Sequence, residues 1–115
     1  MSTLAGQGRR PFRTPAYQYL READRLPTID EVADKPLADI VARVKLFDPT
    51  GAATWYIAAY DPDTRIAWGI GHIFETEVGS IPMDEIVAVR GAFGLPIERD
   101  LYWEPRTLAD LLGVA

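Results

Sequence analysis

The stretch that decides the fold is Val44-Lys45-Leu46-Phe47-Asp48-Pro49-Thr50-Gly51-Ala52-Ala53-Thr54-Trp55-Tyr56-Ile57-Ala58-Ala59-Tyr60. Ahead of it and into it, Ile40, Ala42, Val44 and Leu46 alternate with Arg43 and Lys45, the period of two that marks a strand with one buried and one wet face. Asp48-Pro49-Thr50-Gly51 reads as a turn, and Thr54 to Tyr60, rich in aromatic and β-branched side chains, as the returning strand. Asp61-Pro62-Asp63-Thr64 turns the chain again, and Arg65 to Phe74 makes a third strand. Connections this short demand antiparallel neighbours, because a parallel crossover needs a far longer link.

Outward from this meander, the third strand sets Gly69 and Gly71 on one face against Trp68, Ile70, His72 and Phe74 on the other. Two glycines on one face point to a close neighbour, a crossing helix or a ligand. Glu75-Thr76-Glu77-Val78-Gly79 leads into a short edge segment, and Pro82 to Arg90 fits a helix with acidic residues in its first turn and Arg90 in its last. Gly91 is placed for the left-handed position after the helix. Phe93 to Ile97 is expected to pack its Phe, Leu and Ile inward, and Glu98 to Trp103 to form a last strand anchored by Leu101 and Trp103. Thr107-Leu108-Ala109-Asp110 caps a C-terminal helical turn. Upstream, Thr14-Pro15 opens a short helix over residues 15–25, and Thr28-Ile29-Asp30-Glu31 is a capping box whose helix ends before Lys35-Pro36.

The expected fold is α+β: a small antiparallel sheet of four or five strands with a meander core and two to four short helices packed on one face or end. Residues 1–14 read as a basic, flexible leader and residues 15–115 as a single domain. The 115 residues are enough for a core without staples, and three Trp, five Tyr and four Phe supply its bulk.

The net charge of −5 is unevenly spread. Residues 1–25 hold five arginines against Glu22 and Asp24, whereas residues 26–115 hold seven basic against fifteen acidic side chains. An acidic body argues against general binding to phosphate backbones, and a membrane partner is not expected because no apolar run approaches the length of a span. The chain has no cysteine, which removes disulfides, thiolate metal sites and a cysteine nucleophile together. A cytoplasmic location fits these features.

Catalytic equipment is sparse. Ser2 and Ser80 are the only serines and His72 the only histidine, and no nucleophile elbow surrounds Ser80, so no catalytic residue is assigned. His72 reads as a hydrogen-bonded wall residue. Carboxylates do fall in pairs: Glu75 with Glu77, and Glu98 with Asp100, each two apart so that in a strand they share a face while Arg99 takes the other. Such pairs could split their pKa values for acid–base work or hold a hard cation. Their plainer role is that of edge charges paired with Arg90, Arg99 or Arg106, and no metal or cofactor is expected.

Val44 to Pro49, Thr54-Trp55-Tyr56, Glu75 to Gly79, Val89-Arg90-Gly91, Gly94-Leu95-Pro96-Ile97-Glu98-Arg99-Asp100-Leu101 and Trp103-Glu104-Pro105, in that order, resemble the bacterial family catalogued as Domain of Unknown Function 2958. The resemblance implies a small cytoplasmic protein carried on plasmids and integrative elements beside genes for conjugation, replication or resistance to host defences, with no known activity. The chain departs from the pattern at Ser80, where an aromatic is expected, and at Pro82, where a Ser or Thr cap is expected; residues 1–30 have no claimed counterpart.

The expected function is therefore a non-enzymatic protein–protein interaction module, an accessory of a bacterial mobile genetic element of counter-defence type, anti-restriction or anti-CRISPR. Its binding residues are sought among Arg90, Glu98, Arg99, Asp100, Glu75 and Glu77. The alternatives are a small-molecule or metal-assisted enzyme using the paired carboxylates, and a nucleic-acid-binding accessory acting through the arginine-rich leader.

Overall fold

The turn at Asp48 forms as its residues dictate. In the computed structural model, which describes residues 19–113, the Asp48 carboxylate accepts from the Thr50 amide and hydroxyl, both at 2.8 Å. The described elements are β1 (Val41–Ala42), β2 (Val44–Phe47), β3 (Thr54–Asp61), β4 (Ile66–His72), β5 (Thr76–Pro82), β6 (Glu98–Arg99) and β7 (Arg106–Thr107), with helices α1 (Ile29–Val32), α2 (Met83–Ala88) and α3 (Leu108–Leu112). Strands β2 to β5 form the meander, and β6 adds antiparallel to β2, giving a five-stranded sheet in the order β5-β4-β3-β2-β6. Strands β1 and β7 pair as a second, two-stranded sheet. The fold is α+β.

Several sequence expectations need correction. The strand from Ile40 to Leu46 splits at exposed Arg43, because Val41 and Ala42 pair with β7 while Val44 onward pairs with β3. The short edge segment is a full seven-residue strand, β5. The basic leader over 1–14 lies outside the described residues, and the expected helix over 15–25 partly so; the described part of that helix is a 3₁₀ turn, Glu22–Asp24, ended by Arg25 at φ 53°. The capping box is present: Glu31 accepts from the Thr28 amide at 2.7 Å, and Thr28 accepts from the Glu31 amide. The bonds that the carboxylate accepts from the Thr28 amide and hydroxyl hold the Glu31 carboxyl below its ordinary pKa.

Both faces of the sheet are covered. One core gathers Val44, Leu46, Trp55, Ile57, Tyr60, Ala67 and Ile81 with Tyr19, Leu20, Ile97 and the α2 residues Met83 and Ile86. The other gathers Ala58, Ala59 and Ile70 with Val32 of α1, Ile40, Ala42 and Leu108 of α3. A β-bulge in β3 makes this division possible. Ile57 pairs with Gly69 and Ala59 with Trp68, so Ala58 is an extra residue. The insertion reverses the alternation, letting Ala58 and Ala59 both serve one core and returning Tyr60 to the other. Gly69 is the counterpart of the bulge. A Cβ there would lie well inside contact distance of the Tyr56 carbonyl oxygen and 3.2 Å from the Ala58 nitrogen. The close neighbour expected from the paired glycines is therefore the adjacent strand, and Gly71 merely faces the Trp55 ring.

Helix α2 starts at Met83 rather than Pro82, with no side-chain cap. Arg65 does the capping from the preceding hairpin. Held at φ 60°, it accepts the Met83 amide on its carbonyl at 3.0 Å and grips Asp84 with two guanidinium bonds of 2.8 and 2.9 Å. The same pair holds the Asp84 carboxyl below its ordinary pKa.

Two outcomes follow. Gly69→Ala should cost about 3 kcal/mol in urea denaturation, since the obstructing atom is backbone and cannot step aside, whereas Gly71→Ala should change stability by about 0.5 kcal/mol or less. Burial pushes the Tyr60 hydroxyl from 10.0 up to about 12, so its contribution is complete below pH 10 and is lost as pH rises toward 12. The melting temperature should fall over that alkaline window, and Tyr60→Phe should remove part of the fall.

Candidate functional site

The dense stretch from Val89 to Pro105 splits into parts with separate duties. Arg90 lies just past α2, and its guanidinium donates to the carbonyls of Val87 at 2.9 Å and Val89 at 2.8 Å. It satisfies the open end of a short helix, where a cation is favoured. Gly91 is extended at φ −81° and ψ −161°, not left-handed. Its glycine requirement comes from close approach: a Cβ would sit 2.5 Å from Thr50 Oγ1 and 2.6 Å from Asp48 Oδ1. The Ala92 amide donates to the same Thr50 hydroxyl at 3.0 Å. The Asp48-Pro49-Thr50 turn thus buttresses the loop after α2, which explains why both motifs belong together.

That loop is a tight excursion. Arg90 and Pro96 form an antiparallel bridge, and the Gly91 amide donates to the Leu95 carbonyl at 2.7 Å. At its tip Phe93 takes φ 64° and ψ 16°, a conformation rarely adopted by side-chain-bearing residues. Its ring is 94% exposed, with Leu95 partly exposed beside it. The inward packing expected of Phe93 and Leu95 is corrected; only Ile97 is buried. Here the chain has too little length between Gly91 and Pro96 to turn these side chains into the core.

Arg99 is a clamp. It pairs with Leu46 on the inner face of the sheet and sends two bonds of 2.8 and 2.6 Å to Asp24 and one of 2.7 Å to the Tyr19 carbonyl. The pair is mostly buried, at 18% and 8% side-chain exposure. Next to it the Tyr19 hydroxyl donates to the Ile97 carbonyl at 2.7 Å. Together these bonds fasten the segment Tyr19–Asp24 to β6.

Glu98 and Asp100 face away from Arg99, as the period of two requires. Asp100 lies 3.6 Å from Lys45 Nζ and accepts the Tyr102 amide at 2.9 Å. Lys45 also lies over the rings of Trp103 and Tyr56, at 5.7 and 6.0 Å from their centroids. Trp103 donates its indole N–H to the Ala42 carbonyl at 3.0 Å. The expected strand over Glu98–Trp103 is thus only two residues long, because Asp100 turns the chain, and Leu101 is exposed rather than an anchor. A depression of about 370 Å³ lies here, lined by Lys45, Phe47, Glu98, Arg99, Asp100, Leu101 and Tyr102.

Glu75 and Glu77 lie elsewhere, beside a second depression of about 280 Å³ lined by Gly71, Ile73 and Phe74. Glu77 is on β5 and Glu98 on β6, the opposite edges of the sheet, so about 19 Å of sheet separates the two pairs. They also differ in face, since Glu77 pairs in the row of Gly71 and Glu98 in that of Phe47. Of the six candidates, Arg90 and Arg99 serve the fold, Arg99 also lines the groove that Glu98 and Asp100 share, and Glu75 and Glu77 form a separate edge. Among the described residues no three His, Asp or Glu side chains are grouped to hold a metal ion. His72 bonds Thr76 Oγ1 at 2.7 Å across the β4–β5 pair, the wall role expected of it.

What residue-by-residue chemistry misses is apolar and exposed: Phe74 at 95%, Phe93 at 94%, Tyr102 at 93% and Leu101 at 72%. The available signal was the Gly91-Ala92-Phe93-Gly94 spacing, a loop too short to fold its aromatic inward. No described helix is long and apolar enough to cross a membrane.

A family model described as Protein of unknown function (DUF2958) matches residues 20–113. No curated protein and no solved structure matches the chain. The match reaches back through residues 20–30, where no counterpart is expected from the sequence, and takes in Asp24, which Arg99 holds. Arg99→Met should destabilise the protein by about 3 kcal/mol in urea denaturation, since it strands the largely buried Asp24 carboxylate. Combining it with Asp24→Asn should recover a substantial part of the loss.

Proposed function

The chain belongs to the DUF2958 family of proteins of unknown function, and from that premise we propose that it is a non-enzymatic protein–protein interaction module, a cytoplasmic accessory of a bacterial mobile genetic element acting in counter-defence, of the anti-restriction or anti-CRISPR type. The observation that carries the interaction reading is Phe93. A left-handed backbone at an aromatic residue costs on the order of 1 kcal/mol, and an exposed Phe ring forgoes about 2 kcal/mol of burial, so neither serves the stability of the isolated chain. Yet the loop is built to keep this ring outside: Gly91 is locked onto Asp48 and Thr50, and Arg90 bridges Pro96. A rigid aromatic held in solvent loses little entropy when it enters a partner's pocket, which is how the anchors of protein interfaces work.

Tyr102 and Leu101 extend the reading, for they rim the groove of Glu98 and Asp100. The dispersal of the four carboxylates to opposite sheet edges offers no joint acid–base or cation chemistry in support of the enzyme alternative. The mobile-element and counter-defence parts of the proposal rest on what the family resemblance implies.

Affinity capture with the full chain, from a host carrying restriction and CRISPR systems, should retain a protein partner that the Phe93→Ala chain does not. With that partner purified, calorimetry should show binding weakened by about 30-fold in Phe93→Ala at an unchanged melting temperature. Equal affinity of the two chains would remove Phe93 as the anchor and with it the basis of the reading.

A further inference from the structure

The five-stranded sheet has unequal edges. β6 offers two residues, whereas β5 offers seven, paired with β4 without interruption from Thr76↔His72 to Pro82↔Ile66. Long edges are ordinarily blunted by lysines, internal prolines, bulges or a covering element. None of these is built into β5: its register is continuous, its proline is the last residue, and Glu77 is its single charge. Thr76, Glu77, Val78 and Ser80 are exposed, and among the described residues no strand pairs with the outer side.

We propose that this edge pairs with the same edge of a second copy of the chain, forming an antiparallel, two-fold dimer in which one continuous sheet runs through both subunits with its axis at Gly79. A two-fold axis normal to the sheet keeps every side chain on its own face, so the axis must pass through a residue and not between two. Centring on Gly79 pairs all seven residues of β5: Thr76 with Pro82, Glu77 with Ile81, Val78 with Ser80, and Gly79 with itself. Other centres are worse. An axis at Glu77 or Thr76 sets glutamates opposite one another, Glu77 on Glu77 or Glu75 on Glu77, and like charges directly opposed repel. An axis at Val78 or Ser80 shortens the pairing. The charge pattern and the strand length therefore select the same register, which makes the edge complementary to itself.

The position on the axis is open. A Cβ at Gly79 would meet nothing within 4 Å, and its backbone is not in the positive-φ region, so the single chain tolerates a side chain there. With a net charge of −5 on each copy, association is opposed by general repulsion and strengthens as salt screens it.

Sedimentation equilibrium of the full chain, from low micromolar to several hundred micromolar, should show a reversible monomer–dimer equilibrium that shifts toward dimer with added salt. Gly79→Glu, which opposes two carboxylates on the axis, should raise the dissociation constant at least about tenfold with circular dichroism and melting temperature of the monomer retained. Gly79→Ala should leave the dimer in place. Because the chain has no cysteine of its own, Gly79→Cys reads the register directly: opposed α-carbons of a strand pair fall about 4.5–5.5 Å apart, within disulfide reach, so air oxidation should give a covalent dimer that Asp63→Cys does not. A wild-type chain that stays monomeric throughout the range, a dimer that persists in Gly79→Glu, or failure of Gly79→Cys to cross-link would overturn the proposal.

Discussion

The structure depends on one surplus residue. Without the bulge at Ala58 the alternation of β3 would run unbroken from Trp55, placing Ala59 on the face of Trp55 and Ile57 and Tyr60 on the face that packs against α1 and α3. With it, a single strand feeds two cores of different composition: large side chains on one face, and the small pair Ala58 and Ala59 on the other, where Ala42 and Leu108 come close. The accommodation is backbone against backbone, with the bulged turn of β3 resting over a residue that has no side chain. Such a contact allows little compromise, because peptide groups do not repack as side chains do.

Once both faces are committed, the ends of the chain have to be brought to them. Arg99 and Ile97 perform this for the N-terminal side, and the indole of Trp103, bonded to the Ala42 carbonyl and tilted against the Tyr56 ring, does so for the C-terminal side. The density of charges and aromatics after Gly94 is thereby accounted for largely as joinery. The side chains left over there, among them Glu98, Leu101, Tyr102 and Glu104, face water with Phe93 just ahead of them, and they are available to another molecule.

The meander, the capping box at Thr28, the N-cap at Thr107 and the sharing of a face by Glu98 and Asp100 were legible in the sequence because each is set by neighbours within a few residues. The seven-residue length of β5 was not, since Glu75 to Ser80 lacks strict alternation and is held as strand by pairing with β4. The reason for Gly91 was hidden for another cause: the atoms that exclude a side chain there belong to Asp48 and Thr50, more than forty residues earlier by chain position. Arg99 likewise reads as a surface charge until Asp24 is seen beside it. Contacts of large sequence separation carry no local signature, and here they govern which motif residues are structural and which are free.

Helix α2 has a consequence for the order in which the molecule assembles. Six residues are too few to nucleate a helix in water, where even much longer alanine-rich peptides are marginal. Its first amide is received by Arg65, its first-turn acid is held by the same residue, and its last carbonyls are closed by Arg90. The Arg65 anchor exists only after the β3–β4 hairpin has turned, which makes this helix a late addition on the folding pathway rather than a seed. In the native state the helix is therefore conditional on that hairpin, whereas the Phe93 loop beyond it has its own fastening, through Gly91 and Ala92, to Asp48 and Thr50.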